Sequence, residues 1–589
     1  MQARLKELVL KSSDSLYHIE YSDFDLNIAS GDATLKDFKM IPDTAVYQKL
    51  VALKKAPDNL FQLGVKKLTI KNIGARKAYQ DKMLDISAIV IDKPDLTIIN
   101  KRYAFNDTVK VGKPKAPYEI MKKIFKQLKI DSISLNDISV NYINKSKPVI
   151  KHTALKHLDI NISDVLIDSL SALDPNRFYY TKEVNVILHG YQIKTPDSLY
   201  TASLKQIYFS TSKRKIILDK VTFLPRYNRT DFYKKVGRST DRFTLRFDQI
   251  TLSDIDLQSI LSDQILYAGV MDIKKSNVEI YNDNSYKGKK TNKIGKDPHQ
   301  ALQDVALDLK LKRINLSHTN ITYAEADATS GATGIITFNN TSGYFTNVTN
   351  DDDAKKVNPY MSAHVRTTFM GVAPLQVNFK FNLLAKDGAF NYNGTLGSFD
   401  GRKLDKLLKP LALVHIEQAD IKKLNFNVNA SNYKAKGHLE FYYNNLNVQL
   451  LKKVDGKAEL QNQGLISTVA NTLIRDDNPD KKGNFSPGPI DLPRDPTTSF
   501  FSFLYKALLD GIKPSVGVTK KTENNINSAV TKVSNLLDKY QQYKQNRQEK
   551  REARKKARQE KKEAKEKEKQ EKQEQEQKQA DPVQPVNNQ

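Results

Sequence analysis

Residues 128–144, LKIDSISLNDISVNYIN, set Ile130, Ile133, Leu135, Ile138, Val140 and Tyr142 against intervening polar residues. Alternation of this kind gives a strand one apolar and one wet face. The same pattern recurs along the chain, at Leu68–Ile73, Ile86–Ile99, Val184–Ile193, Leu204–Phe209, Leu375–Leu383, Leu424–Ala430 and Leu439–Leu450. These segments are rich in Val, Ile, Leu, Tyr, Phe and Asn, with Gly, Asp, Asn or Pro between them, as strands joined by turns require. The pattern predicts a mainly β protein built on an elongated, twisted antiparallel sheet, with more apolar strand faces than one compact domain needs.

A weak internal repeat accompanies the alternation. Ile133, Leu135, Ile138, Val140 and Tyr142 match Ile314, Leu316, Thr319, Ile321 and Tyr323 at identical spacing, and Ile250, Leu252, Ile255 and Leu257 fit the same frame. Repeated strand units suggest a sheet that grows by addition.

Helical periodicity is confined to a few places. Residues 117–128 put Ile120, Ile124 and Leu128 on one side, and residues 402–414 predict a second helix broken by Pro410. Past residue 460 the character changes: a short helix over 464–474, a Pro/Gly/Asp-rich linker from Arg475 to Pro496, then a helix with Phe500, Phe501, Leu504 and Leu508 on one face and Gly511 as its stop. Ile526, Val530, Val533, Leu537 and Tyr540 form a two-heptad seam, too short for an independent coiled coil and suited to packing back on the body. From Gln541 to Gln579 the chain is almost wholly Lys, Arg, Glu and Gln, with i,i+4 pairs such as Glu552/Lys556 that favour a solvated helix. The expected division is therefore a β region over 1–460, a linker with short amphipathic helices over 461–522, a charged helical tail over 523–579 and a disordered end over 580–589.

Composition narrows the chemistry. Among 589 residues there is no cysteine, which excludes disulfides, thiol nucleophiles and Cys-ligated metals. The formal net charge is +27, and residues 541–580, with 15 Lys/Arg and 9 Asp/Glu, carry +6 of it. A dispersed positive surface favours anionic partners, lipid headgroups or nucleic acid. The tail mixes acid with base, and no zinc-finger, helix-turn-helix or RNP-like signature is present, so nucleic acid is the disfavoured partner. The nine histidines are scattered, and the nearest pair, His152/His157, stands at i,i+5 on opposite strand faces. No HExxH, GxSxG, P-loop or GxGxxG occurs, and residues 350–356, NDDDAKK, lack the spacing of a calcium loop. No catalytic residue, metal ligand or cofactor is predicted, and an enzyme is not expected. There is no run of 18 apolar residues and no signal-peptide core at the start.

Two stretches, residues 5–43 and 371–453, resemble the AsmA-like family of Gram-negative envelope proteins. The second carries the family's strand, Gly turn, GTLGSFD (394–400) with a following Leu, then Pro and GHLEFYYNNL (437–446). The middle, including DPNRFYYTKEVNVILHGYQI (174–193), resembles long members from the Bacteroidota. The resemblance implies a β-groove with an apolar interior, an inner-membrane anchor, a periplasmic location and a part in phospholipid transport or outer-membrane homeostasis. The family's N-terminal membrane helix is missing, so the expected origin is a shortened start, and a cytoplasmic location follows if Met1 is the true start. On this reading Ile133, Leu135, Val140, Leu375, Val377, Phe379, Phe381, Leu383, Leu424, Phe426 and Val428 line the groove. The expected partners are a phospholipid or other acyl-chain lipid, an anionic membrane surface met by the basic tail, and an envelope protein. The competing expectation is a closed β-sandwich scaffold without lipid, in which the same residues are core.

Overall fold

The structure, a computed structural model, describes residues 6, 9–10, 13–107, 117–122, 124–146, 150–260, 264–286, 288–453 and 460–579. The chain is mainly β, and nearly all its strands join one long sheet. Tyr17–Glu20 and Asp23–Asn27 both pair with Asp32–Pro42, and from there each strand pairs with the next as far as Lys434–Lys453. No pairing joins the two ends, so the sheet is open.

Within this sheet pairing is antiparallel except at two junctions. Met83–Asn100 runs parallel to Gln127–Asn144, and Ile265–Asp283 runs parallel to Asp308–Ala326. Parallel neighbours need a long crossover, and residues 101–126 and 284–307 supply it. The two junctions contain the two matching segments of the sequence repeat, so the repeat corresponds to a repeated supersecondary unit.

Those segments also share a backbone irregularity. In Gln127–Asn144 the pairing is interrupted at Asp131 and again at Asp137; in Asp308–Ala326 it is interrupted at Lys312 and at His318. Asp137 and His318 adopt left-handed backbone (φ 54° and 52°). Each interruption behaves as a bulge: one extra residue turns outward and the alternation resumes one step later. The apolar frame accordingly reads Leu128, Ile130, Ile133, Leu135, Ile138, Val140, Tyr142, with steps of two broken by steps of three. The bulges align across strands, with Asp37, Lys93, Asp137, Lys220, Lys275 and His318 all left-handed at one level of the sheet. Because every strand shifts together, the apolar side chains stay on one face while the sheet gains twist.

The C-terminal region is more integrated than a linker. Within 475–496, Gly488–Pro493 adds an edge strand to Lys434–Lys453, where prolines are tolerated because their missing N–H falls on the unpaired side. The sheet therefore extends past residue 460 to Pro493. The helix Phe500–Ser515, N-capped by Ser499, lies across the apolar face of this end. It does not stop at Gly511: that glycine is buried, and a Cβ there would stand 2.7 Å from Ile490 Cγ1 and 2.8 Å from Leu439 Cδ2. Its role is close approach rather than termination. Pro410 likewise does not break its helix, which continues over Asp405–Ala412 with Pro410 buried on the packed side. The segment after 117 forms only a single turn, Pro117–Met121.

The last helix, Lys520–Gln579, has 60 residues, about 90 Å at 1.5 Å per residue. It touches the helix Gly464–Leu473 near its start, and residues 539–577 are exposed. The side chains of Ile526, Val530, Val533 and Leu537 and the whole of 580–589 lie outside the described residues. No helix among the described residues is long and apolar enough to cross a membrane.

Candidate functional site

Strand registers place one unbroken apolar row across the sheet, perpendicular to the strands. It begins Phe24–Leu35–Leu68–Ile91–Leu135–Ile160, each residue directly opposite the next. It continues Val186–Phe209–Ile216–Leu252–Met271–Ile314. It ends Phe345–Ala363–Phe379–Tyr392–Val428. At about 4.8 Å per strand the row is on the order of 75 Å long.

The eleven lining residues predicted from sequence fall on this face in two groups. Ile133, Leu135 and Val140 sit in the N-terminal half with Ile89 and Ile162, and all five are half-buried. Among the described residues no helix packs over them. Leu375, Val377, Phe379, Phe381, Leu383, Leu424, Phe426 and Val428 belong to the largest apolar cluster, which includes Phe503 and Ala507 of the C-terminal helix. Phe379, Phe381 and Phe390 surround the Phe500 ring, and Tyr392 Oη donates to the Leu504 carbonyl at 3.2 Å. One continuous face is therefore open over its first part and covered by the chain's own helix over its last.

Residues missed at the sequence level, such as Ile89, Ile160, Ile162 and Val186, carried a readable signal, the two-and-three spacing of the apolar frame. One rim is closed by the helix Thr44–Ala52, whose Tyr47 packs with Leu16, Ala56 and Leu60.

The buried polar groups concentrate where the C-terminal helix docks. Glu325 accepts hydrogen bonds from Tyr323 Oη (2.7 Å), Tyr505 Oη (3.2 Å) and Asn284 Nδ2 (2.6 Å), and Tyr323 also meets Ser499 Oγ. Burial pushes the Tyr323 and Tyr505 phenols up, so both stay protonated donors. Asp297 and Arg494, both fully buried, form two hydrogen bonds of 2.7 Å. Beside them His299 stacks on Phe381 and contacts the Gly388 carbonyl at 3.1 Å; burial pushes its imidazole down, and it is neutral at pH 7. These groups are sealed by packing and fasten the helix to the sheet.

His152 is exposed, and His157, lifted outward on its own left-handed residue, bonds Asp137 at 2.8 Å. Among the described residues no group of three or more His, Asp or Glu is arranged to hold a metal. Comparison with protein-family models and with curated proteins finds no match.

Proposed function

We propose that the open part of the apolar row holds the acyl chains of a phospholipid and that the protein acts without catalysis, in lipid transport or outer-membrane homeostasis. The observation that carries this reading is the row from Leu68 to Ile216, continuous in register and half-buried along its whole length. The resemblance of residues 5–43 and 371–453 to the AsmA-like family supports the same reading and a periplasmic, membrane-anchored setting.

The energetics suit a conduit. Each buried CH₂ is worth about 0.8 kcal/mol, so a chain of about sixteen carbons gains on the order of 12 kcal/mol over water. Against a bilayer the gain is near zero, because the chain is already in hydrocarbon. Lipid then enters and leaves without a deep trap. The exposed, charged part of the last helix, residues 539–577, would add weak, salt-sensitive attraction to anionic membranes.

The test is mass spectrometry of lipid co-purified with the protein from cells, for the wild type and for Ile133→Asp/Leu135→Asp. Both positions are half-buried, so the charges can reach water and the fold is expected to persist. Phospholipid in the wild type and its loss from a folded variant is the expected result. A lipid-free wild type, or equal lipid in both proteins, refutes the reading.

A further inference from the structure

The opposite, polar face of the sheet's C-terminal end carries a second row, independent of the apolar one. Tyr344, His364, Asn378, Asn393, Asn427 and His438 stand directly opposite one another across consecutive strands. None of the six is a lysine, arginine or carboxylate, in a chain whose net charge is +27. Elsewhere the polar face is laced with ion pairs, such as Lys66–Asp37 and Lys220–Asp248.

Asparagine is among the residues depleted in strands, yet Asn378, Asn391, Asn393, Asn425, Asn427 and Asn429 all occupy strand positions here. Local rules are broken in this way where a site demands it. The amides bond one another, Asn378 to Asn393 at 3.0 Å and Asn391 to Asn427 at 2.9 Å, which fixes their orientation and leaves further donors and acceptors facing outward. At one end the row opens into a concavity of about 390 Å³ lined by Tyr344, His364, Arg366, Gln376 and Asn378 with Ser342, Gly343 and Val365. Both Arg366 and Gln376 are exposed there, and neither finds a side-chain hydrogen bond or ion pair among the described residues.

We infer that this face binds a neutral, extended polysaccharide, a β-1,4-linked chain laid along the amide row. Amides that both donate and accept match hydroxyl groups, which do the same, and the row itself holds no Lys or Arg; Arg366 at the concavity and Arg313, stacked on Tyr344 at 3.9 Å, stand at one end of it. The strand spacing of about 4.8 Å is comparable to one pyranose unit of an extended chain, so successive sugars meet successive residues of the row, three of them amides.

The experiment is calorimetric titration of the full chain with cellohexaose and chitohexaose, with the curved α-linked maltohexaose and with heparin as controls. Saturable binding of a β-1,4 hexasaccharide, little affected by salt, is expected. Arg366→Ala/Gln376→Ala should weaken it at least tenfold with an unchanged melting temperature, since both side chains are exposed. Failure of both β-1,4 chains to bind, equal binding by the double variant, or binding of heparin alone with strong salt dependence overturns the inference.

Discussion

The sign of one substitution, Gly511→Ala, tests whether the C-terminal helix packs tightly on the sheet. In a helix interior, Gly→Ala gains about 1 kcal/mol from propensity alone. Here the added Cβ would lie 2.7 and 2.8 Å from Ile490 and Leu439, well inside the 3.5–4.0 Å at which carbon atoms attract. Those neighbours are 3% and 0% exposed and have nowhere to retreat. Overpacking of this kind costs about 1–3 kcal/mol, so Gly511→Ala should show a net loss of up to about 2 kcal/mol. A Cβ added at Gly488, facing it on the edge strand, would collide with the Gly511 carbonyl oxygen, a backbone atom that no rotamer change can move. Gly488→Ala should therefore cost more, about 3 kcal/mol. A chain of this size is not expected to unfold in one step, so the assay is native-state hydrogen exchange of the amides in 488–515, which reads local opening. Protection in Gly511→Ala equal to or above the wild type would refute tight helix–sheet contact at Gly511.

Three further outcomes follow from the geometry. Deleting Asp137 should turn Ile138, Val140 and Tyr142 to the polar face, at a cost on the order of 4 kcal/mol for one buried and two half-buried side chains, whereas Asp137→Gly, which keeps the left-handed residue, should stay within about 1 kcal/mol; thermal melts compare them. Arg494→Met should cost about 3–5 kcal/mol by leaving Asp297 buried and unpaired, and Asp297→Leu/Arg494→Met should recover most of it in urea unfolding. Because burial depresses the His299 pKa, the unfolded chain takes up a proton below about pH 6.5 while the fold does not, so stability falls with acid by at most about 1.4 kcal/mol per pH unit until the lowered pKa is reached; His299→Gln should flatten the profile between pH 7.5 and 5.5.

Much of the sheet was legible, and the reason is its regularity. Strands such as Leu424–Ala430 lie inside observed strands because alternation over a half-buried surface has few other solutions. The repeat was legible too, but its steps of three look like noise until aligned left-handed residues reveal bulges in register. Parallel pairing at Met83–Asn100 was not legible, since alternation looks the same in either direction. The Arg475–Pro496 stretch misleads because Pro489 and Pro493 forbid a central strand yet suit an edge. Gly511 misleads because a glycine that ends a helix and one that admits a neighbouring strand are written alike.

The choice between groove and core lay furthest from sequence, and the repeat shows why. Tyr142 and Tyr323 occupy the same place in the same frame, after the same two bulges. Tyr142 is half-buried, while Tyr323 is 1% exposed, stacked on Phe501 and bonded to Ser499. The spacing of the apolar frame does not distinguish them. The difference is a helix that leaves the sheet, passes through an edge strand and returns over the second copy, bringing Ser499, Phe501 and Tyr505 to a tyrosine 176 residues away in sequence. A strand's alternation records only that one face avoids water; what supplies the cover is encoded elsewhere in the chain, or not in the chain at all. Over the second copy the cover is a helix of the chain itself, and over the first the half-buried row is what the lipid proposal rests on.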